Sequence, residues 1–329
     1  MQKPENLCEA AMTGTHHVEV KNRDAVFKFD LHRNITIVRG DSGTGKTTLY
    51  DMIADYTRLH EASGVNISCD KPCAALIDLD WKHQLVGIHD SIVFIDEGAE
   101  FLKTKEFAHT IKATDNYYVI FNRESLHELP YSVEEIYEIK ASGKYHSFKK
   151  IYRSNSKHVY YKEKAGSKLT FDALLTEDSK SGFQFYQHYF RDSSIECFTS
   201  SSNSAIFKWL LEHEDKKVFV IADGAAFGPE IDRILKMRSA ANIRLCLPES
   251  FEWLILRSGL IKSENMTEIL DNPSSYIECS EYFSWENFFE HYLIEVTVDT
   301  PFQYAKKEIN PVYLNDNNAG KIIVEIYTE

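Results

Sequence analysis

The chain has 329 residues, of which 43% are apolar, and a formal net charge of −13 at neutral pH. This length allows two domains of ordinary size, and the acidic balance excludes a broad basic surface that coats nucleic acid, although not a local groove. No apolar run approaches the roughly 18–20 residues of a membrane span, and the first twenty residues lack the pattern of a secretion signal, so we expect a cytoplasmic protein without a membrane partner.

The first predicted elements are two antiparallel strands and a buried strand. Residues 16–31 alternate apolar and polar around a turn signal at residues 21–24, which is typical of a β-hairpin. The β-branched run at residues 34–39 predicts the third strand.

A glycine-rich segment follows this strand with the spacing G-x-x-x-x-G-K-[ST], and a helical pattern comes after it. Glycines let main-chain N–H groups turn toward phosphate oxygens, and the start of a helix adds positive potential. We therefore predict a phosphate-binding loop (P-loop). Its candidate nucleotide-binding residues are Gly40, Asp41, Ser42, Gly43, Thr44, Gly45, Lys46, Thr47 and Thr48. In such a loop, Lys46 would reach the β- and γ-phosphates and the Thr47 hydroxyl would bind Mg²⁺.

Acidic residues end a later strand. Short strands are predicted at residues 65–69 and 74–77, and the next strong signal is an apolar run at residues 91–95 that ends in Asp96 and Glu97. This has the form of a Walker B strand. In that motif, Asp96 would hold Mg²⁺ and Glu97 would polarise the water that attacks the γ-phosphate.

The strand predicted at residues 117–121 ends in two polar residues, Asn122 and Arg123. By analogy with P-loop ATPases, either side chain could sense the γ-phosphate, which makes both candidate catalytic residues beside Glu97 and Lys46. The alternative is a turn that caps a helix beginning at Ser125. The run at residues 135–139 is expected to close the sheet.

The hairpin, the P-loop and the acidic strand end together resemble ABC-type and AAA-like ATPase domains, in which an antiparallel pair flanks a parallel sheet. The resemblance implies ATP and Mg²⁺ as cofactors. The guanine-reading Asn-Lys-x-Asp motif is absent, which favours ATP over GTP. The Leu-Ser-Gly-Gly-Gln signature of ABC proteins is also absent, so the pattern does not fix how a homodimer would form.

Residues 144–168 are basic and aromatic, with Glu163 as the single acid. The basic residues are Lys144, Lys149, Lys150, Arg153, Lys157, Lys162, Lys164 and Lys168. A turn signal at residues 154–156 predicts a hairpin. Basic and aromatic side chains together can bind phosphates and stack on bases, so this surface is a candidate nucleic-acid partner site. The alternative is a solvated link between two domains.

In the second half, four strand-like runs alternate with helical runs from residue 168 to about residue 262. This pattern predicts a smaller parallel α/β domain with acids at the carboxyl edge of its sheet. The order resembles the TOPRIM (topoisomerase-primase) domain fused behind an ATPase in the OLD (overcoming lysogenization defect) family of nucleases.

The OLD resemblance implies a second Mg²⁺ site for phosphodiester chemistry. On the family's pattern, Glu177 follows the first strand, Asp223 follows the third and Glu252 follows the fourth. The family's Asp-x-Asp is incomplete, because Ala225 stands in place of the second Asp. Nearby Glu230 or Asp232 would have to substitute, or the domain senses or scaffolds without catalysis.

These elements predict an α/β protein in four parts: a P-loop domain at residues 1–140, a hairpin linker at 141–167, a TOPRIM-like domain at 168–262 and an extension at 263–329. The extension is expected to contain an aromatic helix at residues 282–293 and an edge strand at 321–326.

The leading functional hypothesis is an Mg²⁺-dependent ATPase whose nucleotide state controls a TOPRIM-like domain acting on nucleic acid, as in phage defence or mobile elements. The alternative is a regulatory ATPase without nuclease activity that switches its binding to a protein partner. A small-molecule kinase is a third class, which is less favoured because Glu97 suits hydrolysis better than transfer.

Overall fold

A computed structural model describes residues 13–77, 80–154, 158–160 and 171–326 of the chain. It shows an α/β protein of two compact units, each built from discontinuous segments. The described residues of unit 1 lie within Met1–Tyr131, Glu135–Ile151 and Asn272–Ser284. Those of unit 2 lie within Ser132–Glu134, Tyr152–Asp271 and Trp285–Glu329.

Unit 1 contains a mixed sheet of nine described strands. They are β1 (His16–Lys21), β2 (Val26–Leu31), β3 (Ile35–Arg39), β4 (Asn66–Ser68), β5 (Cys73–Leu76), β6 (Ile92–Ile95), β7 (Tyr117–Phe121), β8 (Ile136–Ser142) and β9 (Tyr145–Lys150). Their spatial order is β4-β1-β2-β9-β8-β3-β7-β6-β5. The block β8-β3-β7-β6-β5 is parallel, and β1 and β2 form the expected antiparallel hairpin.

The parallel block is the core of unit 1. Strands β3, β6 and β7 are buried at every position, which is why they appear in the sequence as continuous apolar runs rather than alternating ones. The described helices are α1 (Lys46–Leu59), α2 (Trp81–Val86) and α3 (Lys105–Ile111). Helix α1 buries Leu49, Met52 and Ile53 in the core, so the strand–loop–helix expected around residue 40 is present.

A late segment of the chain completes unit 1. The buried side chain of Asn34, just before β3, donates a hydrogen bond from Nδ2 to the carbonyl oxygen of Cys279 at 2.8 Å. The Cys279 thiol donates to the Tyr117 hydroxyl at 3.2 Å, and the amide of Gly14 donates to the carbonyl of Ser274 at 2.6 Å. Residues 272–284 are therefore part of the packing of unit 1.

Unit 2 contains a sheet of five described strands and most of the described helices. The strands are β10 (Val159–Tyr160), β11 (Ala173–Thr176), β12 (Glu196–Thr199), β13 (Val218–Ile221) and β14 (Ile243–Cys246), in the order β10-β14-β13-β11-β12. The helices are α4 (Ser181–Tyr189), α5 (Asn203–Glu212), α6 (Gly228–Leu235), α7 (Phe251–Arg257), α8 (Met266–Asp271), α9 (Trp285–Thr297) and α10 (Asp316–Ile323). Strands β11 to β14 are parallel, as the alternation of strands and helices in this half predicted. Strand β10 pairs with β14 in the antiparallel direction. Among the described residues, no helix is long and apolar enough to cross a membrane.

Within the described residues, β9 and β10 do not pair with each other, as a hairpin around residues 154–156 would require. Strand β9 pairs with β8 and β2 in unit 1, whereas β10 pairs with β14 in unit 2. The two halves of the stretch thus belong to different sheets. Residues 155–157 and 161–170, with Lys157, Lys162, Lys164 and Lys168, lie outside the described residues.

Two further expectations for strands were wrong. Strand β8 does not close the sheet but lies between β3 and β9. The expected edge strand at residues 321–326 is instead the end of helix α10 followed by a turn at residues 324–326. The Asn315 side chain caps this helix by accepting from the amide of Asn317 at 3.2 Å. Ala319, Ile322 and Ile323 then form one buried helical face.

The chain also divides differently from the four expected parts. The segment at residues 141–150, expected in a linker, lies within β8 and β9 of unit 1. The expected C-terminal extension is shared between the units, because residues 272–284 belong to unit 1 and residues 285–329 to unit 2.

We predict that Asn34→Ala lowers the free energy of unfolding by about 1–3 kcal/mol, because it leaves the buried carbonyl of Cys279 without its donor. Urea unfolding followed by tryptophan fluorescence measures this change. Asn66→Ala on the exposed face of β4 is the matched control and should cost much less. Equal effects of the two substitutions would show that the Asn34 bond does not stabilise unit 1.

Candidate functional site

The glycine-rich loop, residues 40–45, joins the carboxyl end of β3 to the start of α1. Gly45 has φ +102°, and a Cβ placed there would lie 3.3 Å from His146 Cδ2 and 3.4 Å from Phe27 Cε1. The loop therefore passes close under two stacked rings, where a larger residue would be both strained and crowded. Helix α1 begins at Lys46, and the first N–H groups of a helix have no partner within it.

The Lys46 side chain is folded back into this loop. Its ammonium donates to the carbonyl oxygens of Gly40 and Asp41, the latter at 2.9 Å. It also lies 3.7 Å from Glu97 Oε2. Only 4% of the residue is exposed. Main-chain carbonyls are weak partners for a charge, and a phosphate oxygen could replace them without moving the lysine far.

The two acids after β6 lie at the same sheet edge. The register pairs Ile95 with Ile120 and Val38 with Phe121, so Asp96, Asn122 and the loop start come to one edge. Asp96 Oδ1 is buried and has no hydrogen-bond partner among the described residues. Burial raises the pKa of Asp96, and the amide of Glu97 and the charge of Lys46 oppose that rise.

This donor set fits a magnesium nucleotide. The buried Oδ1 of Asp96 has no hydrogen-bond partner among the described residues, and the exposed Thr47 side chain is in the first turn of α1. Hard oxygen donors of this kind are the ligands that Mg²⁺ prefers beside phosphates. The structure thus brings the sequence-predicted residues Lys46, Asp96 and Glu97 to one place.

Arg123 and Asn122 differ in their contacts. Arg123 Nε lies 2.6 Å from Glu97 Oε1, and its Nη2 donates to Ser42 Oγ at 3.1 Å, so its charge bridges the acid and the loop. Asn122 is buried and donates from Nδ2 to the carbonyl of Glu124 at 3.0 Å, which is the turn-capping arrangement. The helix that we expected to begin at Ser125 is not present, since residues 122–132 contain only turns and bends.

The aromatic residues of the basic stretch mostly pack inside the fold. Phe148 stacks on Phe29 with ring centroids 4.0 Å apart. The hydroxyls of Tyr152 and Tyr160 donate to Asp232 and Glu134. These rings are committed to packing, which leaves Tyr145, 58% exposed, as the open ring on β9.

The acids of unit 2 gather at the carboxyl edge of its sheet. Glu177 follows β11 and Asp223 comes two residues after β13. Burial raises the pKa of Glu177 to about 7, and the charge of Glu286 on α9 adds to this. Burial also raises the pKa of Asp223 well above its ordinary value, helped by the charges of Glu286 and Glu177. The carboxylates at this edge of the sheet therefore repel one another when they are ionised.

A lysine stands among these acids. Lys306 Nζ lies 2.9 Å from Glu252 Oε1, 3.7 Å from Glu286 Oε1 and 3.8 Å from Glu290 Oε2. Burial alone would lower the pKa of Lys306, but the charges of Glu252, Asp223 and Glu286 raise it well above its usual range. No motif in the sequence indicated that Lys306 or Glu286 belongs to a site. The two residues lie near the other acids only because the chain folds that way.

The residues of this edge do not fit the magnesium site that the family resemblance implied. Ala225 is buried in a short turn at the expected position of the second Asp. Of the two possible substitutes, Glu230 pairs with Arg233 and Asp232 accepts from Tyr152. Across the described part of the chain, no group of three or more His, Cys, Asp or Glu side chains is arranged to hold a metal ion.

Glu177 should make stability depend on pH. Its pKa is about 7 in the folded chain against an ordinary 4.5, so folding favours the protonated form. That stabilisation is complete below about pH 4.5 and is lost as the pH rises through 7. Relative to Glu177→Gln, the wild type should lose up to about 3 kcal/mol over this range, measured by urea unfolding at several pH values.

The exposed control Glu214→Gln should keep the pH dependence of the wild type. A constant stability difference between the wild type and Glu177→Gln from pH 4.5 to 8 would contradict the raised pKa.

No protein-family model, curated protein or solved structure matches this chain.

Proposed function

We propose that unit 1 binds ATP with Mg²⁺ on the glycine-rich loop and hydrolyses the nucleotide. The single observation that carries this proposal is the convergence, at one sheet edge, of the loop, the Lys46 ammonium and an orphaned Asp96 oxygen. A buried carboxylate without a partner is costly unless a cation completes it. The neighbouring loop offers main-chain N–H groups and a lysine, which suit the phosphates that accompany such a cation.

Each residue at this edge has a distinct role in the proposal. Lys46 exchanges its carbonyl partners for phosphate oxygens, and Thr47 and Asp96 hold the metal. Bound Mg²⁺ supplies charge neutralisation across the β- and γ-phosphates. Glu97 loses Lys46 to the nucleotide and becomes available to orient the attacking water, and Arg123 holds the Glu97 carboxylate in place from the other side.

Hydrolysis is favoured over transfer to a small molecule. Glu97 lies between two cations, Lys46 at 3.7 Å and Arg123 at 2.6 Å. Arg123 holds this carboxylate at the edge where the γ-phosphate would end. A carboxylate beside the γ-phosphate suits activation of water.

For unit 2, the contacts of the acid edge favour the regulatory alternative over a nuclease. The carboxylates face the Lys306 ammonium, and most described aromatic rings of the basic stretch pack within the fold. In this alternative, the nucleotide state of unit 1 switches the binding of a protein partner, and unit 2 is the interaction module.

We expect Lys46→Ala to abolish ATP binding, because the loop loses its only side-chain ammonium. Binding is measured by titration with a fluorescent nucleotide. ATP affinity unchanged by Lys46→Ala would exclude this loop as the nucleotide site.

Glu97→Gln should keep ATP binding within a few-fold of the wild type but slow hydrolysis by about 100-fold or more, since an amide cannot accept the proton of the attacking water. Turnover is measured by phosphate release. The exposed Glu61→Gln is the matched control and should behave as the wild type.

We also expect no magnesium-dependent or manganese-dependent cleavage of plasmid DNA or single-stranded RNA above that of a Glu177→Ala, Asp223→Ala double variant. The reason is that Lys306 already lies among the acids that a nuclease would use for metal. Cleavage by the wild type that disappears in the double variant would favour the nuclease hypothesis instead.

A further inference from the structure

The carboxyl edge of the unit 2 sheet carries an acid cluster, which we define as Glu177, Asp223, Glu252 and Glu286. Glu252 is fully buried in the first turn of α7. Its Oε1 accepts from the Tyr304 hydroxyl at 2.6 Å and lies 2.9 Å from Lys306 Nζ. Its Oε2 is buried and has no hydrogen-bond partner among the described residues. The cluster therefore contains a buried carboxylate oxygen whose hydrogen-bonding capacity is not met within the described residues.

Lys306 enters the cluster from a segment outside the sheet, and that segment is fixed to α4. The carbonyl of Lys306 accepts from the amide of Ser181 at 3.2 Å. Gln184 Nε2 donates to the carbonyl of Lys307 at 3.1 Å, and Gln184 Oε1 accepts from the amide of Ile309 at 2.9 Å. Three main-chain contacts on one helix hold residues 306–309, so the position of the ammonium is built into the fold.

Tyr304 anchors the same segment at its other end. Its ring is 3% exposed, and its hydroxyl donates to Glu252 while accepting from Ser181 Oγ at 2.6 Å. The amide of Tyr304 donates to Thr297 Oγ1 at 3.0 Å. The lysine and its strongest carboxylate partner are thus positioned by one shared tyrosine.

We propose that the Lys306 ammonium is the resident cation of the acid cluster, and that it excludes divalent metal from a site which its removal would open. The ammonium lies within 4 Å of Glu252 and Glu286 of the cluster and of the neighbouring Glu290, and the fully buried charge of Glu252 needs a compensating positive charge. An ammonium on the chain supplies it permanently, whereas a divalent ion would have to displace a side chain fixed by residues 304–309. The charge of this edge is therefore balanced by a side chain of the protein and not by a metal ion.

Removal of the ammonium should convert the cluster into a metal site. The Lys306→Met substitution keeps an unbranched side chain one atom shorter and removes its charge, which leaves the carboxylates around it without a cation. Such an oxygen-rich, negatively charged site is the kind that Mg²⁺ and Mn²⁺ occupy. Lys306→Arg keeps the charge, and Lys307→Met changes the exposed neighbouring lysine.

The test is Mn²⁺ binding to the full-length, nucleotide-free chain, followed by the electron paramagnetic resonance signal of unbound Mn²⁺. We expect Lys306→Met to gain one site with an affinity at least about tenfold above any wild-type binding. Lys306→Arg and Lys307→Met should match the wild type. The gained site should disappear when Glu252→Gln is added to Lys306→Met. All four variants are also measured with Asp96→Asn, which removes the proposed metal ligand near the glycine-rich loop and so separates the two sites.

Two results would overturn the proposal. One is wild-type Mn²⁺ binding that is lost on Glu252→Gln or Asp223→Asn, and the other is a folded Lys306→Met variant that gains no site. If Lys306→Met is unstable, its Tm is measured with EDTA and with Mn²⁺. A Tm raised by Mn²⁺ in this variant but not in Lys307→Met supports the proposal, and an unchanged Tm contradicts it.

Discussion

Both candidate sites depend on one constraint, which is that parallel strands bring their carboxyl ends to the same edge of a sheet. In unit 1, the ends of β3, β6 and β7 place the glycine-rich loop, Asp96 and Asn122 side by side. In unit 2, the ends of β11 and β13 do the same for Glu177 and Asp223. Each edge collects polar side chains, because the strands themselves are buried and consist mainly of apolar residues.

A lysine balances the acids at both edges, but the two lysines are bound differently. Lys46 donates mainly to main-chain carbonyls and is 3.7 Å from its nearest carboxylate partner, Glu97. Lys306 is 2.9 Å from a fully buried glutamate. Carbonyl partners can be exchanged for phosphate at little cost, whereas separating a buried ion pair is expensive. The first arrangement suits a site that takes a ligand, and the second suits a site that is permanently filled.

The sequence predicted most of what is encoded locally. Continuous apolar runs identified β3, β6 and β7, and the spacing of glycines identified the loop before α1. Residues 321–326 were misjudged because their β-branched content outweighed the capping residue Asn315, six positions or more upstream. The place of Lys306 could not be predicted, because it depends on hydrogen bonds from residues 306–309 to α4, more than a hundred positions earlier. Long-range pairing of this kind leaves no periodic signal in either segment.

The return of residues 272–284 to unit 1 has a consequence for synthesis of the chain. The carbonyl of Cys279 that binds Asn34 is made only after β14 and α7 of the other unit. On a ribosome, which adds residues from the amino end, the loop and its neighbours would emerge long before their packing is complete. Unit 1 thus reaches its final form only after most of unit 2 has been made, which couples completion of the proposed nucleotide site to production of nearly the whole polypeptide.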